Sequence, residues 1–147
     1  MKRILIILII GFVFSTVQAQ MDNPLKKGMP NTVTLSTGNV IYNLNGEWDA
    51  IFDNAHYGGI SKDVIKITQE GNKFLGIRLI GTVFHRKGSE TIKGELEGDG
   101  FKSLYGFNLP HGWTLSKGKI SDGGKKIVIE EPIQAHDYTA IITLTRK

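Results

Sequence analysis

Four histidines, His56, His85, His111 and His136, are the side chains best suited to chemistry near neutral pH. Imidazole titrates there, ligates metals through either ring nitrogen and both donates and accepts hydrogen bonds. Asp53, Tyr57, Arg86, Trp113, Asp137 and Tyr138 stand within a few residues of them. Such a set could form a rim of imidazoles that holds a divalent metal or haem, or that hydrogen-bonds the polar end of a ligand. The plainer alternative is that histidine is tolerated in loops and that four of them fell at one end. No pair has the i, i+2 or i, i+4 spacing that prearranges a metal site, so no cofactor is predicted.

Catalysis has weaker support. Ser61 or Ser89 with His56, His85 and Asp53 is the one hydrolytic set that can be assembled. There is no Gly-x-Ser-x-Gly elbow, no phosphate-cradling loop and no His-Glu-x-x-His. Glu95 and Glu97 share the outward face of a strand, a poor place for an acid/base pair. Without cysteine the chain has no thiol nucleophile, no thiolate metal site and no lipidated N-terminal cysteine. It is therefore read as a protein that is not an enzyme.

The residues that would position this chemistry lie in β-structure. From Leu44 onward, segments rich in Ile, Val, Thr, Phe, Tyr and Trp alternate with period two, at 44–52, 63–70, 73–84, 90–97, 101–108, 113–120, 125–131 and 137–146. Gly71-Asn72, Gly98-Asp99-Gly100 and Ser121-Asp122-Gly123-Gly124 supply tight hairpin turns. The fold class predicted is all-β, an eight-stranded antiparallel up-and-down barrel, since closure removes exposed edges. Lys66, Arg78, Lys93, Glu95, Lys126 and Glu130 alternate with Ile65, Ile77, Ile92, Leu96, Ile127 and Ile129. Charged-out and apolar-in is the pattern of a barrel in water, opposite to one facing lipid. His85-Arg86-Lys87 and Glu130-Glu131 read as solvated charges.

The chain begins with a different kind of segment. Lys2 and Arg3 precede an apolar run from Ile4 to Ile10, then Phe12, Val13 and Phe14, and the small-residue site Val17-Gln18-Ala19. That layout predicts a signal peptide over 1–19, cleaved after Ala19, and a periplasmic or secreted protein. Removing 19 of the 147 residues leaves 128, and the loss of Lys2 and Arg3 halves the net charge of +4. A near-neutral chain without clustered Lys and Arg excludes a nucleic-acid partner. No later stretch reaches the roughly 18 apolar residues of a spanning helix, so no transmembrane segment is expected after cleavage. Residues 20–43 form an extended lead-in with one short strand, and 44–147 the barrel domain.

The first strand opens Asn45-Gly46-Glu47-Trp48-Asp49 and the last ends Thr143-Leu144-Thr145-Arg146-Lys147. Gly-x-Trp on the first barrel strand with an arginine ending the eighth resembles the lipocalins and the wider calycin superfamily. The resemblance implies structural roles for Gly46, Trp48 and Arg146: the indole plugs the closed end and the guanidinium stacks on it. The chain departs from that family in lacking the frequent inter-strand disulfide and a helix before the last strands, which makes it a reduced, lipocalin-like domain.

In an up-and-down barrel the odd connections share one end, and all four histidines fall in them. That end is the expected mouth, opposite Trp48 and Arg146. Phe52, Ile65, Leu79, Tyr105, Phe107 and Ile129 would fill the barrel or line its cavity. The expected ligand-binding residues are His56, Tyr57, Phe52, Tyr105, Phe107, His111, Trp113 and Tyr138, with His56, His85, His111 and His136 as weak metal candidates. The expected function is binding of a small, mainly apolar molecule. The competing expectation is a protein-interaction module with a solid core, such as a secreted inhibitor or an envelope accessory protein, whose partner is another envelope or secreted protein.

Overall fold

The computed structural model describes residues 25–54, 59–109, 111–133 and 138–147, so the expected leader lies outside the described residues. The barrel strands are β3 (Gly46–Asn54), β4 (Gly59–Glu70), β5 (Lys73–Arg78), β6 (Glu90–Glu97), β7 (Gly100–Asn108), β8 (Gly112–Leu115), β9 (Lys117–Ser121), β10 (Lys126–Ile133) and β11 (Tyr138–Arg146). They form one antiparallel sheet in the order β8-β7-β6-β5-β4-β3-β11-β10-β9. Every neighbour in that order is a neighbour in sequence except β3 and β11, which join the first barrel strand to the last. The result is a nearly closed up-and-down barrel.

Nine strands form where eight segments are read from sequence, because 113–120 breaks at Ser116. Its first half pairs with β7, Phe107 opposite Trp113, and its second half with β10, Ile129 opposite Gly118. The Ser116 N–H donates to the Leu104 carbonyl at 2.9 Å and its hydroxyl to the Thr114 carbonyl at 3.2 Å. One segment thus follows β7, pivots on a buried serine and follows β10. The two sheet edges are consecutive in the chain, so the seam between them is where the barrel comes nearly closed.

A second departure is the end of β5. Apolar residues continue through Leu79, Ile80, Val83 and Phe84, which reads as strand, yet the ladder stops at Arg78. Gly81 adopts φ +90°, and a Cβ there would sit 2.6 Å from the Lys87 backbone nitrogen. Only glycine tolerates both the left-handed conformation and that approach. Residues 79–89 therefore fold back over the barrel end, with Val83 93% and Phe84 73% exposed.

The opposite end is sealed. Residues ahead of the barrel fold into the hairpin β1 (Thr32–Thr34) and β2 (Val40–Tyr42), with Thr32 opposite Tyr42. Ile41 and Leu44 enter the core beside Trp48. Two strands stand where the lead-in predicts one. Asn31 donates its side-chain amide to the Gly123 carbonyl at 3.0 Å, tying the hairpin to the turn between β9 and β10. Isoleucines and leucines fill the barrel upward from there, and Ile65, Ile129 and Leu144 are inaccessible to solvent. Each such side chain contributes roughly 1.5–3 kcal/mol by burial.

Two charged side chains expected outside are inside. Phe74 and Gly76 face inward on β5, so Arg78, two residues on, does too, and Ile77 takes the outer face. Ile127 and Ile129 set the same parity on β10 and carry Glu131 inward, while Glu130 stays exposed.

Candidate functional site

The ends of β3, β7 and β10, the starts of β4 and β11 and the β5–β6 connection share one end of the barrel and line a cavity of about 210 Å³. Phe52, Arg78, Thr91 and Glu131 rise from strand interiors to form its floor and wall. Ile60, Val83, Phe84 and His85 form the rim. Strand parity assembles the floor, because Phe52, Arg78 and Glu131 lie in phase with the buried residues Ala50, Gly76 and Ile129 of their own strands.

Arg78 and Asp63 are the electrostatic centre. Arg78 Nη1 lies 3.1 Å from Asp63 Oδ2, with both side chains at most 3% exposed. Asp63 Oδ1 also accepts the N–H groups of Val64 at 2.7 Å, Ile80 at 3.1 Å and Gly81 at 3.2 Å. One carboxylate therefore holds the arginine and pins the fold-back segment to the barrel. The guanidinium lies over the Phe52 ring, 4.2 Å from its centroid. Such cation–π contacts contribute about 2 kcal/mol when desolvated. Burial lowers the Arg78 pKa, and the Asp63 hydrogen bond and charge oppose that shift.

Glu131 shares the cavity and, among the described residues, has no ion pair. Burial pushes its pKa up to about 7, and the charge of Arg78 pulls in the opposite direction. Its carboxylate occupies the space left by Gly106, where a Cβ would stand 2.7 Å from Oε1. Among the described residues, Glu131 Oε1 and Arg78 Nε are buried and have no hydrogen-bond partner. A buried polar atom without a partner costs about 1–3 kcal/mol. Both belong to residues that line one small cavity. His85 is half-buried at the rim, its pKa lowered first by burial and then by Arg78.

The residues expected from sequence divide three ways. Phe52 lies in the cavity wall, and Tyr138 lies half-buried on the inward face of β11. Tyr105, Phe107 and Trp113 take the parity opposite to Leu104, Gly106 and Thr114, which places them on the outer face. Phe107 and Trp113 pack edge to face at 5.3 Å between centroids, and Lys93 Nζ stands 4.0 Å above the Trp113 ring. Phe107 nonetheless borders the cavity. His111 is exposed in the β7–β8 connection. His56, Tyr57 and His136 lie outside the described residues. Among the described residues, no three His, Asp or Glu side chains gather into a metal site.

Arg78, Asp63 and Glu131 were not singled out from sequence, although the signal was present. Phe74-x-Gly76-x-Arg78, Asp63-x-Ile65-x-Ile67 and Ile127-x-Ile129-x-Glu131 each place the charge in phase with inward residues. A charge in phase with a core face is the informative exception.

At the sealed end, Arg146 lies over the Trp48 indole, 4.7 Å from centroid, and donates to the Asn45 carbonyl at 2.9 Å and to the Asn43 carbonyl. Trp48 Nε1 donates to the Leu44 carbonyl at 3.0 Å. Gly46 has φ +129°, and a Cβ there would meet Arg146 Nη1 at 3.6 Å. No protein-family model matches the chain, and no characterised protein matches it in sequence. The molecule is, on its own geometry, a nearly closed antiparallel barrel with one sealed end and one charged mouth.

Proposed function

We propose that this is an exported, lipocalin-like binding protein that holds a small, mainly apolar molecule in the barrel mouth. The observation that carries the reading is the open-ended cavity, lined by the buried Arg78 and Glu131 and rimmed by exposed Ile60, Val83 and Phe84. About 210 Å³ is below the ~300–1,000 Å³ of drug-sized sites, so it accommodates a head group and a few carbons. The remaining apolar body would lie against the rim, each 100 Å² removed from water contributing about 2.5 kcal/mol. The signal-peptide layout of residues 1–19 supports a periplasmic or extracellular site of action. The Trp48–Arg146 stack supports the lipocalin-like assignment.

The exposed apolar rim also favours a second reading, in which the fold-back segment 79–89 contacts another envelope or secreted protein. Native mass spectrometry of the protein purified from its own periplasm or medium separates the two. A small mass released on gentle activation supports the binding protein. A bare chain co-purifying with a stoichiometric protein partner favours the interaction module instead.

A further inference from the structure

The floor of the mouth specifies the polar end of its ligand. Arg78 Nε–H is a buried donor pointing to no acceptor among the described residues, and Glu131 Oε1 is a buried oxygen in the same position. Arg78 is 3% and Glu131 6% exposed, and both line one cavity. What completes this pair depends on the proton of Glu131. Ionised, the site carries Asp63⁻, Arg78⁺ and Glu131⁻, one net negative charge in a pocket walled by Phe52 and Ile142. An apolar body closing the mouth strips away more water and raises the cost of that charge. The protonated form is therefore favoured in the occupied site. Protonated, Glu131 becomes a second donor in the cavity that Arg78 also lines, and two donors call for a group of two acceptors.

Resting on the small-molecule reading above, we propose that the mouth takes the carboxylate of a small apolar acid and binds it with one proton, shared between the ligand and Glu131. The charges balance: the ligand anion replaces the negative charge that Glu131 loses on taking a proton from bulk water. An amine would leave Arg78 Nε without an acceptor and place a cation beside the guanidinium. An amide would need no proton.

Among the described residues, other charged and titratable groups around Glu131 are few. Asp63 on β4 and Arg78 on β5 are paired with each other. His85 belongs to the 79–89 segment and titrates below its ordinary 6.5. Tyr138 on β11 stands two residues from Ala140, the cross-strand partner of Glu131. At this end β3, β6, β7 and β8 turn Phe52, Thr91, Gly106 and Thr114 inward, none of them charged.

The test is calorimetric titration of the full chain with octanoate, octanamide and octylamine at pH 6.5 and 8.5, in two buffers of different ionisation enthalpy. Octanoate is expected to bind roughly 25-fold more tightly at pH 6.5 than at 8.5, as follows if Glu131 must carry a proton and does so up to about pH 7. At pH 8.5 it is expected to take up close to one proton per molecule bound, a readout that needs no variant. Glu131→Gln, which keeps the amide N–H in place of the acid O–H, is expected to bind octanoate equally at both pH values. Octanoate binding that ignores pH in the wild type, or octylamine binding more tightly than octanoate, overturns the carboxylate assignment and leaves the binding protein standing. Octanamide binding as tightly as octanoate at pH 6.5 also overturns it. If none of the three binds at either pH, the small-molecule reading falls, and this inference with it.

Discussion

The carboxylate of Glu131 occupies the volume that a side chain on Gly106 would need: a Cβ there would lie 2.7 Å from both Cδ and Oε1. The acid is housed by a missing methyl group on the strand across the barrel. Gly106→Ala is expected to push the carboxylate out of its niche and cost about 1–3 kcal/mol by overpacking. Denaturant unfolding measures the cost. A variant as stable as wild type would mean the niche is not filled as described.

Glu131 ties stability to pH in a definite direction. Its pKa in the folded protein is raised from 4.5 to about 7, so the folded chain keeps a proton that the unfolded chain releases. Stability from this group is fully present below about pH 4.5 and is lost as pH climbs through about 7, a swing of about 3 kcal/mol. Glu131→Gln is expected to remove that swing. The stability difference between variant and wild type, followed by urea unfolding from pH 5 to 8, should grow with pH in favour of the variant; a flat difference would contradict the assignment.

Asp63→Asn is expected to cost about 3–5 kcal/mol, because Arg78 would keep a buried charge with no counter-ion. It would also weaken acceptance from the Ile80 and Gly81 N–H groups. Hydrogen exchange should then quicken at those two amides ahead of global unfolding. Adding Arg78→Met is expected to recover part of the loss, and a double variant as poor as the sum of both singles would argue against a coupled pair.

Much of the barrel was legible because its turns and its closed end are local. Gly71-Asn72 and Gly98-Asp99 bend where the residue types demand it, and Trp48 meets Arg146 as strand parity requires. The break at Ser116 was not legible, since β8 and β9 share one unbroken alternation and the switch of partner is decided by barrel closure. Nor was the inward turn of Arg78 recognised. Ile77 beside it looked like the core residue, because the outer face of this barrel is itself partly apolar. At the site, Phe52 was readable as a wall residue, whereas the outward placement of Tyr105, Phe107 and Trp113 depends on Gly106 rather than Phe107 facing Glu131.

Arg146→Met should loosen the sealed end. It removes the charge over Trp48 and the donors to the Asn43 and Asn45 carbonyls, at an expected cost of about 1–2 kcal/mol. Amide exchange should rise in β1 and β2 more than in β6 and β7. Uniform exchange across the barrel would show that Arg146 does not anchor the hairpin.

The pairing of β3 with β11 places Trp48 opposite Arg146, so the ring is completed by a contact between chain positions nearly a hundred residues apart. Loop closure over such a distance is slow, and hairpins formed earlier must wait with both outer edges open. During synthesis the barrel cannot shut until its last strand has emerged. A ring that shuts only with its last strand locks as one unit, after the other hairpins have formed, and not strand by strand as the chain is made.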